Sequence, residues 1–210
     1  MPDLALPLLP LPTRADPADA TAARLLIIYT GGTVGMAVNR SGGLVPMQFG
    51  RLDRKMPELA RLPFRLELLS LPALIDSSNV TPADWLYLAR LIEKHYADFD
   101  GFVVLHGTDT MAYSAAALSY VLEHLGKPVV FTGAQVPVGA SRSDAQRNLI
   151  TALEIAAARY PRTRTVPARG WRAAAISRAV MRLRWASERL APAGTCAPVN
   201  TTALPKCSSK

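Results

Sequence analysis

The sequence holds only two cysteines in 210 residues, Cys196 and Cys207, and both lie near its end. Residues 1–158 carry no thiol, which excludes a cysteine nucleophile or a Cys-ligated zinc there and fits a reducing compartment. Long apolar runs are also missing, and none could span a bilayer. The opening stretch is apolar, but it is broken by Pro2, Pro7 and Pro10, carries Asp3 and lacks an early Lys or Arg, so it makes a poor signal peptide. Residues 1–22 read as a loose leader, and the protein as cytoplasmic with no membrane partner. Acidic residues nearly vanish after residue 158. Residues 159–210 hold nine Arg and two Lys against one Glu, a net of +10, and since the whole chain carries +8, residues 1–158 net −2. The basic balance belongs to that one segment, no aromatic residues interleave with it in a binding pattern, and no nucleic-acid partner is expected. Histidine is scarce too: His95 and His124 fall on helices without partner signals, and His106 reads as packing.

Half of the residues are hydrophobic, enough for the core of one domain of ordinary size. Residues 24–29 are an apolar run that reads as a buried strand, and residues 101–105 and 128–132 read the same way. Residues 64–71 alternate well enough for a further strand. Turn residues 39–43 tip a hairpin with Met36 on one arm and residues 44–46 on the other, and residues 49–60 suggest a short helix. Thr81-Pro82-Ala83-Asp84 opens a helix, with Thr81 as N-cap, Pro82 in the first turn, and Trp85, Leu88, Ala89, Ile92 and Tyr96 on its apolar face. Another helix is expected from 110 to 125, ended by Gly126 in a left-handed cap. A last one starts at Ser143 or Asp144 and buries Leu149, Leu153, Ile155 and Ala156. Strands that are apolar throughout and alternate with helices predict an α/β fold: a doubly wound, mainly parallel sheet with helices on both faces. No repeat at a period of twenty to fifty residues is present.

Two strand ends carry the chemistry. The first strand runs into Thr30-Gly31-Gly32-Thr33-Val34-Gly35-Met36, where glycines expose backbone N–H groups and Thr33 offers a hydroxyl. The strand 101–105 runs into His106-Gly107-Thr108-Asp109-Thr110. Open α/β sheets bind ligands at such carboxyl ends. Taken alone, the Gly-Gly-Thr could be a tight turn, Asp109 an N-cap for the following helix, and Asp76-Ser77-Ser78 a capping loop before Thr81. A nucleotide-binding module is a further reading, but neither G-x-G-x-x-G nor G-K-S/T is present.

Four segments, in order, resemble the bacterial asparaginase/glutaminase family, and above all its cytoplasmic type I branch: Thr30 to Met36, Asp76 to Ser78, His106 to Ala112 and Lys127 to Gln135. The resemblance covers about residues 24–158, the amino-terminal domain of that family, with a flavodoxin- or Rossmann-like fold. It implies an L-asparagine amidohydrolase giving L-aspartate and ammonia, with L-glutamine as a second candidate substrate. Thr33 would be the nucleophile and form an acyl-enzyme ester. Thr108 and Asp109 would join a lysine in proton transfer, and Asp109 would also hold the α-ammonium group. Asp76, Ser77 and Ser78 would hold the α-carboxylate and amine. Gln135 would line the same cleft, and residues 141–144 read as structural. The resemblance implies no cofactor, no metal, and a homo-oligomer, dimer or tetramer.

Two departures stand out. Leu44 occupies the place where many members carry a tyrosine on the hairpin after the nucleophile. Residues 159–210, rich in Arg, Ala and Pro, match neither the lysine-bearing loop nor the second domain of the family, and Lys206 and Lys210 lie in the wrong context. The expectation is a shifted reading frame or truncated gene near residues 160–164, the alternative a genuine basic tail. The corresponding functional alternative is an inactive remnant that binds a small amino acid without the lysine needed for turnover.

Overall fold

The computed structural model describes residues 6–158 apart from residues 17, 39–42, 47–51, 123–124 and 139. The expected basic tail, most of the turn at 39–43, the start of the helix at 49–60 and His124 fall outside the described residues.

The strands are β1 (Leu9–Leu11), β2 (Arg24–Tyr29), β3 (Met36–Val38), β4 (Leu44–Pro46), β5 (Arg65–Ser70), β6 (Gly101–Leu105) and β7 (Val129–Thr132). The helices are α1 (Leu52–Lys55), α2 (Pro82–Lys94), α3 (Met111–Val121) and α4 (Ala145–Ala157). Five strands form one sheet in the order β1-β5-β2-β6-β7, and β3 pairs with β4 as the expected hairpin. β5, β2, β6 and β7 run parallel, while β1 is antiparallel. The fold is the doubly wound α/β architecture that the sequence predicts. From β2 the chain goes out to β5, then crosses back to β6 on the other side of β2. The strand order therefore reverses direction at β2, and the crevice outside the β2 and β6 carboxyl ends is the topological switch point of the sheet.

β2 from Leu25 onward and β6 from Phe102 onward are hydrophobic at every position because both of their faces are covered. Leu25, Ile27, Tyr29, Val103 and Leu105 pack with Leu149, Leu153 and Ala156 of α4 and with Leu52, Met56 and Leu59. The alternate residues Leu26, Ile28, Phe102 and Val104 pack instead with Leu88, Leu91 and Ile92 of α2 and with Ala115 and Leu118 of α3. Each side chain of this size, once fully buried, contributes on the order of 1.5–3 kcal/mol. The sheet is held between two apolar layers, and polar chemistry is left to its carboxyl edge. α2 begins as read: Thr81 N donates to Asp84 Oδ2 at 2.8 Å in a reciprocal capping box.

Four expectations need correction. The leader is not loose throughout, because Leu9–Leu11 extends the sheet, pairing Leu9 with Leu68, Pro10 with Glu67 and Leu11 with Leu66. Prolines made the stretch look unstructured, but an edge strand tolerates a missing N–H. Leu11 enters the core, and Arg14 N reaches Leu62 O at 3.1 Å. The helix expected at 49–60 is instead two short pieces, α1 and a 3-10 turn over Pro57–Arg61, broken at Met56, whose backbone is not helical (φ −134°, ψ 72°) and whose successor is a proline. α3 stops at Val121, since Leu122 has already left helical geometry. Gly126 is not a left-handed cap: the positive-φ residues among those described are Gly31, Gly32 and Arg142. Its N–H donates to the Tyr96 hydroxyl instead.

Candidate functional site

The site is built by backbones pressed together at the switch point. Thr30, just past β2, donates from both its N–H (3.0 Å) and its hydroxyl (2.9 Å) to Leu105 O, while its own carbonyl accepts from Ile75 N at 2.7 Å. One residue thus ties the exits of β2 and β6 to the loop after β5. Gly31 and Gly32 follow at φ of +138° and +87°. A Cβ on Gly31 would collide with the Ile75 carbonyl, and one on Gly32 would lie 2.6 Å from Gly107 N and 2.7 Å from its Cα. A Cβ on Gly107 would in turn strike the Ser77 side chain. The glycines are therefore contact surfaces as well as turn formers, and the three loops touch where they lack side chains.

Thr33 opens a 3-10 turn, Thr33–Gly35, closed by Gly35 N donating to Gly32 O at 3.2 Å. Thr33 is half-buried, and the turn rests on the buried ring of Tyr29, whose hydroxyl occupies the space that a Cβ on Gly35 would need. Burial pushes the Tyr29 phenol up to about 12, so it stays neutral beneath the turn. Among the described residues no partner engages the Thr33 hydroxyl.

On the β6 side, His106 N donates to Thr132 O at 2.9 Å, which fixes the loop to β7. Asp109 Oδ2 accepts from Ser77 Oγ at 3.1 Å, and Thr110 Oγ1 donates to Ser77 O at 2.6 Å. Asp109 is thus not the N-cap of α3. Thr110 holds that position without a side-chain cap bond, because both residues direct their side chains to the Ser77 loop. Asp76 accepts from Ser78 N at 3.0 Å and caps the 3-10 turn Ser77–Asn79, so the capping reading of this loop is correct for Asp76, although Thr81 forms its own box with Asp84. Thr108 Oγ1 accepts from Gln135 Nε2 at 3.0 Å. The sequence-predicted residues Thr33, Ser77, Thr108 and Asp109 therefore lie on loops in direct backbone or side-chain contact. Ser78 and Asp76 share the Ser77 loop, with Asp76 turned to its own cap. Sequence reasoning missed Thr30, which looked like part of the glycine turn. It also missed Asp144, whose carboxylate accepts from Gln135 N (3.2 Å) and Val136 N (3.0 Å).

His106 is 5% exposed and its Nδ1 lies 2.7 Å from Gly107 O, so the neutral ring donates from that nitrogen. Burial lowers its pKa, and the bond to Gly107 opposes the shift without reversing it. Because the folded value lies below the unfolded value of about 6.5, the unfolded chain binds more protons between the two, and stability falls as pH drops through that window. His95, shifted the same way by burial, adds to the trend. The urea midpoint of the protein should fall between pH 7 and pH 5, and His106→Gln should flatten the slope. An unchanged slope in that variant would remove His106 from the account.

The sequence model of the family described as "Asparaginase, N-terminal" matches residues 24–168, more than half of the chain. The chain belongs to the asparaginase family. The match reaches past residue 158, ten residues beyond the motif-based resemblance. L-asparaginase 1 of Escherichia coli (strain K12) is 49% identical over 141 residues, covering 65% of this chain and 41% of that protein. The 60 kDa lysophospholipase of Mus musculus is 43% identical over 159 residues, covering 63% of this chain and 28% of that protein. The crystal structure of L-asparaginase I from Vibrio cholerae aligns with a TM-score of 0.60 at 45% identity, covering 66% of this chain and 42% of that one. The chain thus spans about two fifths or less of the length of these relatives. Among its described residues no helix is long and apolar enough to cross a membrane.

Proposed function

We propose that this chain is the nucleophile-bearing amino-terminal part of an enzyme that hydrolyses L-asparagine to L-aspartate and ammonia. The observation that supports this best is the contact of the Gly32-Thr33 loop with the Gly107-Thr108-Asp109 loop at the switch point. Hydrolysis of a side-chain amide needs a nucleophile, a route for its proton and donors for the oxyanion. The Thr33 oxygen attacks the side-chain carbonyl carbon, and its proton passes to the proton-transfer group around Thr108. Collapse of the tetrahedral adduct breaks the C–N bond, and the nitrogen leaves as ammonia after taking up a proton. Water then attacks the ester, breaks its C–O bond, restores Thr33 and releases aspartate. The N–H groups of the glycine turn supply oxyanion donors. Asp109, with Ser77 already on Oδ2, faces the substrate ammonium, and Ser77 and Ser78 serve the α-carboxylate. The same reading takes L-glutamine as a second substrate, places the reaction in the cytoplasm and assembles the enzyme from copies of one chain.

The absence of any lysine from residues 159–205 favours a second reading, a domain that binds the amino acid without turning it over. The 210-residue chain incubated with L-asparagine should release ammonia and L-aspartate in equal amounts. Binding of L-aspartate with no ammonia would select the second reading, and neither binding nor ammonia would overturn both. Where binding is present, Asp109→Asn should weaken it roughly 10- to 150-fold, the effect of losing one charge-assisted bond of about 1.5–3 kcal/mol. Unchanged affinity in that variant would remove Asp109 from the ammonium site.

A further inference from the structure

We propose that Asp144 and Asn148 of the α4 amino end are positioning residues for Thr108, acting through the loop after β7 and the Gln135 side chain; this rests on the site reading above. The chain of contacts is continuous. Asp144 Oδ2 and Oδ1 accept from the consecutive backbone N–H groups of Gln135 and Val136 at 3.2 and 3.0 Å. Asn148 Nδ2 donates both to Asp144 Oδ2 (3.1 Å) and to Gly133 O (3.0 Å). Ser143 Oγ adds a bond to Val136 O at 3.0 Å. Residues 133–136 are thus clamped to the start of a 13-residue helix.

The clamp fixes more than a loop. Gly133 is pressed on the β6 exit so closely that a Cβ there would collide with His106 O. From this fixed backbone Gln135 Nε2 reaches Thr108 Oγ1 at 3.0 Å. A hydroxyl has one proton and two acceptor sites. With Gln135 donating to the oxygen, the Thr108 proton must point elsewhere. An exposed Gln without a tethered backbone would sample several rotamers and could not hold that polarity. Asp144 offers helix α4 no side-chain cap, although it occupies the N-cap position. Its carboxylate is given over to the Gln135 loop, an unusual use of a residue type that normally caps its own helix.

The test reads the Thr108 side chain directly. Three-bond couplings to the Thr108 methyl carbon in the labelled 210-residue chain report its χ1 rotamer. The wild type should show one rotamer, and Gln135→Ala and Asp144→Ala should both show averaged values, although Asp144 does not contact Thr108. Couplings unchanged in Asp144→Ala would overturn the proposal, whatever Gln135→Ala shows. If Asp144→Ala does not fold, Asn148→Ala, which removes two bonds of the clamp, takes its place beside the surface variant Gln135→Ala. In turnover, Gln135→Ala should lower kcat about tenfold with KM within about twofold, as expected for loss of one oriented bond in the transition state. Gln135→Glu should lower kcat further, because a carboxylate only accepts and would turn the Thr108 proton toward itself; equal effects of Ala and Glu would overturn the polarity argument. A wild-type chain that releases no ammonia would remove the functional reading, while the couplings would still decide the positioning role.

Discussion

Thr33→Ala should leave a folded chain whose release of ammonia from L-asparagine is slower by on the order of 10⁴-fold or more, the scale seen when a covalent hydrolase loses its activated hydroxyl. The fold should survive because the turn that carries Thr33 is closed by backbone groups, Gly35 N to Gly32 O, and is supported from below by Tyr29. Nothing described in that turn uses the Thr33 hydroxyl as a cap. Thr33→Ser retains the oxygen but loses the β-methyl that stiffens χ1, and should keep most of the chemistry with roughly a tenfold loss from freer rotation. The decisive comparison sets the ammonia rate of each variant beside its urea midpoint. An alanine variant that works within tenfold of wild type would end the nucleophile assignment.

The second large effect is on stability. Gly32→Ala should lower the unfolding free energy by about 2–6 kcal/mol. Two costs combine: about 1–3 kcal/mol for an L side chain at φ +87° and ψ 171°, and about 1–3 kcal/mol for forcing a methyl into a packed contact. The methyl would meet Gly107 N and Cα at 2.6 and 2.7 Å, and these are backbone atoms that cannot swing aside. Against a typical total of about 5–15 kcal/mol, such a loss brings the domain close to unfolding. Soluble yield and the urea midpoint measure it. A shift below about 1 kcal/mol would mean that the two loops separate easily and that the site is not held by this contact. Gly32→Ala and Thr33→Ala should therefore part company, one failing by fold and the other by chemistry, although the residues are neighbours.

Much of this architecture was legible from local pattern. β2 and β6 were bounded correctly because strands covered on both faces are apolar without interruption. α2 began where Thr81 places it, and α4 at Asp144, one of the two starts that the sequence offers. What escaped was set by distant partners. Pro10 argued against a strand, and only the free edge of β5 makes Leu9–Leu11 one. Gly126 looked like a helix cap, but α3 ends earlier, and the Gly126 N–H goes to Tyr96, thirty residues away in sequence. Asp109 looked like an N-cap because it precedes a helix, and its carboxylate goes instead to Ser77. The motif residues lie on loops at the carboxyl edge of the sheet, as the strand pattern predicts. The contacts that hold those loops together, Gly32 against Gly107 and Asp144 against residues 135–136, depend on strand order and leave no local trace.

The strand order also carries a history. β2 is the first strand of the parallel set to be synthesised, yet both of its neighbours come later, Arg24 meeting Arg65 and Leu25 meeting Gly101. One of its edges waits for β5, and the other waits for β6, which ends only at Leu105. Loops of that span must close before their contacts stabilise anything, which slows assembly relative to a helical or hairpin topology. The crevice at the switch point is consequently among the last features to appear during biogenesis. A nascent chain stalled before residue 101 would present both Leu26 and Ile28 to chaperones with no partner strand on one side.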